Sequence, residues 1–169
     1  KNIKKIIKIN IKNKRQVGSD RIANAVGVYK KYKTNCIVLD FGTATTFDVI
    51  DGKGSYLGGV IAPGVLLSMD ALDKATARLP RIAISKPKNV IGKNTEEAMK
   101  SGIYWGYIGL LEGIIKKIRE DNKVKMSVIA TGGLAPLFKI NSAQIEIVDE
   151  DLTLKGIALS WNSKLTVFN

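Results

Sequence analysis

Two stretches of the 169-residue chain place a carboxylate beside glycine and small hydroxyl residues. The first is DFGTATT at residues 40–46, directly after the apolar run at 36–39. Gly42 would let a ligand approach the backbone, Thr43 and backbone N–H groups could donate to phosphate oxygens, and Asp40 could hold a neutralising cation. The pattern is equally typical of a hairpin turn in which Asp40 is only a structural acceptor. It therefore leaves a phosphate site and a plain turn as open interpretations.

The second stretch is Gly18-Ser19-Asp20-Arg21, at the start of a predicted helix. A carboxylate at this position most often caps the helix. In a functional interpretation, Asp20 is a general base that takes a proton from a substrate hydroxyl as its oxygen attacks a γ-phosphate. Arg21 would then bind an anionic group of the substrate.

Two further stretches give weaker signals. Gly132 and Gly133 follow a predicted strand, where they would let a base or ribose lie against the backbone, or would simply form a turn that needs positive φ. Thr95 precedes a long predicted helix. Its hydroxyl could reach a substrate, although capping the helix is the commoner role.

The composition restricts the possible chemistry. The chain has no histidine and one cysteine, and it has no Gly-x-x-x-x-Gly-Lys-[Ser/Thr] loop. Carboxylates, hydroxyls and backbone amides are therefore the groups available for catalysis. The lone Cys36, in an apolar run, excludes an intrachain disulfide framework and favours a reducing, cytoplasmic location.

The formal net charge is +12, and the first fifteen residues are basic without one acidic residue. This segment alternates lysine with isoleucine and has no aromatic residue on which bases could stack, so we expect a solvated strand or linker rather than a nucleic-acid-binding arm. A basic surface would favour anionic ligands such as ATP. The apolar runs are too short for a membrane span, and we expect no signal peptide.

Periodicity predicts an α/β layered domain, because three strands in hairpin order precede alternating helices and strands. The predicted strands or extended segments are 1–17, 35–40, 44–50, 56–61, 81–84, 125–131 and 145–148. The predicted helices are 21–32, 65–76, 95–119, 134–138 and 152–161.

Taken together and in order, these stretches resemble the type III pantothenate kinases. The matching pieces are residues 18–25, 40–48, 56–64, 94–95, 98–102, 130–135 and 151–156. Several motifs in the right order are far more specific than any one of them. The resemblance implies an α/β fold of the actin-like, acetate-and-sugar-kinase superfamily with a ribonuclease H-like motif, comprising the second lobe and part of the first. Residues 1–34 would end the first lobe with the catalytic loop and helix, and residues 35–169 would form the second lobe.

The resemblance also implies the activity: ATP-dependent phosphorylation of pantothenate to 4'-phosphopantothenate, the first step of coenzyme A biosynthesis, by a cytoplasmic homodimer. Asp20 would accept the proton, and Asp40 would bind a monovalent cation, potassium or ammonium, while Mg²⁺ accompanies ATP. Pantothenate would contact Gly18, Ser19, Asp20, Arg21 and, across the dimer interface, Thr95. ATP would contact Gly42, Thr43, Gly132 and Gly133.

Two features depart from the family pattern. The N-terminal phosphate loop, Asp-x-Gly-Asn-Thr, is absent from this chain, and no tyrosine lies between Lys1 and Val17 where the family usually has one. Because an actin-like kinase needs both lobes to align the γ-phosphate, we expect the 169-residue chain alone to turn over slowly or not at all. The alternative is a non-catalytic actin-like relative with a regulatory or scaffold role.

Overall fold

The computed structural model describes residues 6–75 and 83–165, and these form one six-stranded mixed sheet with helices on both faces. The strand order is β1-β4-β3-β2-β5-β6. The strands are β1 (Lys8–Ile9), β2 (Cys36–Phe41), β3 (Ala44–Ile50), β4 (Ser55–Pro63), β5 (Ser127–Thr131) and β6 (Ile147–Val148). The helices are α1 (Ser19–Tyr32), α2 (Val65–Ala75), α3 (Thr95–Asn122), α4 (Ala135–Lys139) and α5 (Leu152–Leu165).

The connectivity brings two loops to the same edge of the sheet. Strands β2, β3 and β4 form an antiparallel meander, whereas β5 pairs in parallel with β2 and places Thr131 opposite Asp40. Because parallel strands end at the same edge, the loop after β2 and the loop after β5 are neighbours. Both loops contain the glycines singled out above.

The two faces of the sheet are covered by different helices. Successive side chains of a strand point to opposite faces. Ile37, Leu39 and Phe41 therefore enter the core formed with α3 and α4, while Cys36 and Val38 enter the core formed with α1. Asp40 follows the second set and lies on the α1 face.

An aromatic cluster fixes α3 and α4 against the end of β2. Phe138 is fully buried and stacks on Phe41, with ring centroids 5.1 Å apart and planes 4° apart. Tyr104 stacks on the ring of Phe138, with ring centroids 5.5 Å apart. This packing holds the loops that follow β2 and β5 in a defined position.

Helices α1 and α5 cross in backbone contact. A Cβ atom added at Gly156 would lie 1.8 Å from the carbonyl oxygen of Ala23, and one added at Gly27 would lie 2.8 Å from the carbonyl oxygen of Leu152. Only glycine permits such an approach at these two positions. The crossing brings the first turns of α5 against the middle of α1.

The α/β fold and the predicted order of its elements are confirmed, with differences at the ends. Of the strand or extended segment predicted at 1–17, residues 1–5 lie outside the described residues. Within 6–17, β1 has two residues and Lys14–Gln16 forms a 3₁₀ turn. Of the segment predicted at 81–84, residues 81 and 82 lie outside the described residues, and 83–84 are not in a strand. Across residues 6–75 and 83–165, no helix combines the length and apolar character that a membrane crossing requires.

Candidate active site

Asp40 lies at the end of β2, on the face of the sheet that α1 covers. The fully buried Asn24 donates a hydrogen bond from Nδ2 to Asp40 Oδ2 at 2.7 Å. Burial raises the pKa of Asp40, the hydrogen bond from Asn24 lowers it, and the negative charges of Asp20 and Asp48 raise it further. The net effect is a raised pKa of Asp40, so a nearby cation would stabilise the charged form of this carboxylate.

Asp20 lies in the first turn of α1, and its side chain is exposed. The residue at the N-cap is Gly18, without a side-chain cap, so the interpretation of Asp20 as the helix cap is wrong. Within the described part of the chain, no group donates a hydrogen bond to the Asp20 carboxylate. A Cβ at Gly18 would lie 2.4 Å from Asp20 Oδ1, the end of an exposed side chain that can move aside. Asp20 is therefore accessible to a substrate.

Arg21 is tied to the sheet by a buried carboxylate that the sequence did not indicate. Its Nε and Nη2 lie 2.8 and 2.7 Å from Oδ1 of Asp48, which is fully buried in β3. The hydroxyl of Tyr56 also donates to that oxygen, at 2.7 Å. Burial lowers the pKa of Arg21, but the hydrogen bond and charge of Asp48 outweigh it and raise the pKa. Among the described contacts, Nη1 of Arg21 has no acceptor.

The glycine loops meet at the edge of the sheet beyond Asp40. Gly132 has φ +88°, and a Cβ there would lie 2.6 Å from the carbonyl oxygen of Phe41. The turn that needs positive φ is therefore present at Gly132. A Cβ at Gly133 would meet nothing within 4 Å, so this residue borders open space. Gly42 and Thr43 are exposed in the neighbouring loop.

Thr95 begins α3 and is exposed. The N-cap is Asn94, whose side chain accepts a hydrogen bond from the backbone N–H of Glu97 at 2.9 Å, so Thr95 is not the helix cap. A groove of about 390 Å³ adjoins this helix start, lined by Lys86, Lys88 and Lys100 among others. None of the described contacts joins Thr95 to Asp20 or Asp40.

Asp40 could contribute a carboxylate oxygen to a bound cation. Residues 6–75 and 83–165 hold no group of three or more histidine, cysteine, aspartate or glutamate side chains that could bind a metal. Asp40 supplies one carboxylate, flanked by the exposed backbone at Gly42 and Thr43. Carboxylate and backbone carbonyl oxygens are donors that hard cations prefer.

Solved structures identify the class of fold. A Campylobacter jejuni protein described as a Baf family transcriptional activator superposes with a TM-score of 0.67 at 20% identity, over 97% of this chain and 72% of that chain. The Clostridium difficile activator of 2-hydroxyisocaproyl-CoA dehydratase, solved with bound ADPNP, gives a TM-score of 0.54 at 15% identity, over 85% of this chain and 66% of that chain. At these identities the likeness concerns the fold alone. It is a mixed α/β fold, as the sequence predicts.

Sequence comparison identifies the family. The family model described as type III pantothenate kinase matches residues 1–117. A type III pantothenate kinase of Rhodospirillum rubrum is 57% identical over 144 residues, which are 85% of this chain and 56% of the relative. One from Acidiphilium cryptum is 55% identical over 151 residues, 89% of this chain and 57% of the relative. The chain belongs to the type III pantothenate kinase family, and it spans little more than half the length of these relatives.

Proposed function

We propose that the native polypeptide carrying this chain transfers the γ-phosphoryl group of ATP to a hydroxyl of pantothenate. The product would be 4'-phosphopantothenate, at the first step of coenzyme A biosynthesis. Besides family membership, one observation carries the proposal: Asp20 is exposed, lacks a described hydrogen-bond donor, and lies close enough to the partly buried Asp40 to raise its pKa. A kinase needs such an available carboxylate beside its phosphate site.

In this mechanism Asp20 acts as the general base. Its carboxylate accepts the proton of the substrate hydroxyl while that oxygen forms a bond to the γ-phosphorus. The bond between the γ-phosphorus and the β,γ-bridging oxygen breaks, ADP leaves, and Asp20 later returns the proton to solvent. Exposure of the Asp20 side chain supports both its access to the hydroxyl and this return.

Pantothenate would be held by the loop that begins α1. Gly18 and Ser19 would contact it through the backbone at the helix start, and Arg21 would donate from Nη1 to its carboxylate. The bond between Arg21 and Asp48 supports this role because it fixes the direction of the guanidinium group. ATP would lie against Gly42 and Thr43 on one loop, and Gly132 and Gly133 on the next.

Two cations belong to the same proposal. A potassium or ammonium ion at Asp40, and Mg²⁺ bound with ATP, would neutralise the negative charge of the phosphates. The fit of Asp40 rests on its burial and on its single described donor, Asn24.

We further propose that the enzyme is a cytoplasmic homodimer in which Thr95 reaches the pantothenate bound to the partner subunit. The exposed hydroxyl of Thr95, released from capping by Asn94, supports this role. Light scattering of the native polypeptide tests it. A dimer is expected, and a monomer would contradict the proposed contact between Thr95 and the pantothenate of the partner subunit.

The test of the mechanism is the substitution Asp20→Asn, which keeps the size of the side chain and removes its basicity. ADP release that depends on pantothenate should fall by at least about 100-fold, the usual contribution of a general base. Asp121→Asn is the matched control, since Asp121 is an exposed aspartate near the far end of α3, and its rate should stay within about twofold of wild type. An Asp20→Asn enzyme with the rate of wild type would refute the role of Asp20.

A further inference from the structure

A line of three side chains connects α5 with Asp40. Thr153, in the first turn of α5, donates a hydrogen bond from Oγ1 to Oδ1 of Asn24 at 2.7 Å. Asn24, on α1, donates from Nδ2 to Oδ2 of Asp40 at 2.7 Å. Three separate elements of the fold, α5, α1 and β2, therefore meet through one carboxamide group.

The Asp40 carboxylate only accepts hydrogen bonds, so it determines which end of the carboxamide faces it, and the Thr153 hydroxyl holds the opposite end. With Oδ1 of Asn24 accepting from Thr153, its Nδ2 is directed to the carboxylate, which needs a donor. The opposite orientation would set two acceptor oxygens 2.7 Å apart at Asp40, a repulsive arrangement. Asn24 is 0% exposed, so solvent does not compete for either end.

Helix packing determines where Thr153 lies. Gly27 on α1 lies against the backbone of Leu152, and Gly156 on α5 lies against the backbone of Ala23. Thr153 falls between these two contact points, which leaves α5 little freedom to slide along α1. The position of the Thr153 hydroxyl is thus fixed by backbone contacts on either side of it.

We propose that Thr153 and Asn24 are positioning residues that orient the Asp40 carboxylate, so that α5 sets the affinity of this site for a monovalent cation. The cation itself rests on the proposed function, whereas the orientation of Asn24 and Asp40 does not. Neither Thr153 nor Asn24 touches the substrate in this scheme; each acts through Asp40.

The substitution Thr153→Val tests this relay, the chain of hydrogen bonds from Thr153 through Asn24 to Asp40. Valine keeps the shape of threonine and removes the hydroxyl. Without that donor, Oδ1 of Asn24 is buried without a hydrogen-bond partner and the carboxamide is held at one end only, so its hydrogen bond to Asp40 weakens. Thr153→Ser is the matched control, since it retains the hydroxyl and removes one methyl group. If the hydroxyl of residue 153 holds Asn24, the Asn24 amide is less protected in the valine variant and unchanged in the serine variant. A packing effect of the missing methyl group would instead appear in the serine variant alone.

The experiment measures two quantities on the native polypeptide that carries this chain. The first is the hydrogen-exchange rate of the Asn24 side-chain amide by NMR, which should rise about tenfold in Thr153→Val and stay within about twofold of wild type in Thr153→Ser. The second is the KCl concentration that gives half of the potassium-dependent rise in Tm, at constant ionic strength. It should increase about tenfold in Thr153→Val only.

The outcomes separate the two proposals. Equal exchange rates of the Asn24 side-chain amide in wild type and Thr153→Val would overturn the relay. An increase in Thr153→Ser as large as that in Thr153→Val would overturn it too. If the valine variant alone loses protection but its potassium dependence matches wild type, the link between α5 and cation affinity is refuted. A wild-type Tm that does not respond to potassium would refute both the cation proposed at Asp40 and its control by α5, while the amide rates would still decide the orientation of Asn24.

Discussion

The crossing of α1 and α5 predicts a large loss of stability for Gly156→Ala. The new Cβ would lie 1.8 Å from the carbonyl oxygen of Ala23, whereas ordinary contacts begin near 3.4 Å. The nearest atoms belong to the backbone of α1, so no side chain can rotate away. The helices must instead separate by about 1.5 Å, which opens the buried contact between them.

The expected magnitude follows from two opposing effects. Alanine is favoured over glycine in a helix by about 1 kcal/mol. Overpacking a close contact typically costs about 1–3 kcal/mol, and displacement of a whole helix lies at the upper end or beyond. We therefore expect Gly156→Ala to lower the free energy of unfolding by about 2 kcal/mol, which corresponds to a fall in Tm of about 4–8 °C for a chain of this size.

The chain provides a matched control in Gly113→Ala. Gly113 lies within α3, is exposed, and a Cβ there would meet nothing within 4 Å. The same substitution should therefore stabilise the protein by about 0.5–1 kcal/mol. Urea unfolding followed by circular dichroism at 222 nm measures both variants. A Gly156→Ala variant as stable as Gly113→Ala would refute the close crossing of α1 and α5.

Two further predictions concern stability. Asp149 is buried and accepts hydrogen bonds from Lys31 at 2.7 Å and from Lys155 at 2.6 Å. Burial raises the pKa of Asp149, but the two lysines together outweigh burial, so the net pKa is lowered. The stability from this carboxylate should thus be present above its unfolded pKa, near 3.9, and be lost as the pH falls through the lower folded value. Asp149→Asn should cost about 2 kcal/mol at pH 7 and progressively less below about pH 4, and urea midpoints across this range that stay parallel would contradict the assignment. Phe138→Ala should cost about 3–5 kcal/mol because it empties the stack on Phe41, and a loss below about 1 kcal/mol in the same assay would show that this cluster does not hold α4.

Local sequence patterns predicted most of the fold because each signal acts over a few residues. The apolar run before Asp40 forms β2, and Gly132, after the strand predicted at 125–131, has the positive φ that a turn there requires. Alternation in the segment predicted as a strand or extended at 1–17 did not predict how short β1 is. Gly58 in β4 has φ +123°, which departs from regular strand geometry just beyond the residues that pair with β1.

The supporting contacts of the candidate site were missed because they join distant parts of the chain. Thr153 and Asn24 are 129 positions apart, and Arg21 and Asp48 are 27 apart. Strand alternation could have placed Asp48 on the same face as Asp40, since both are even-numbered residues of strands paired in register. No local pattern, however, pairs a threonine on the last helix with an asparagine on the first.

The most direct test of the central claim is mass spectrometry of pantothenate incubated with ATP, Mg²⁺, KCl and the native polypeptide that carries this chain. We expect one molecule of 4'-phosphopantothenate for each ADP released, and no ADP release without pantothenate. ADP release that does not depend on pantothenate, or binding of both substrates without a phosphorylated product, would contradict the proposed phosphoryl transfer.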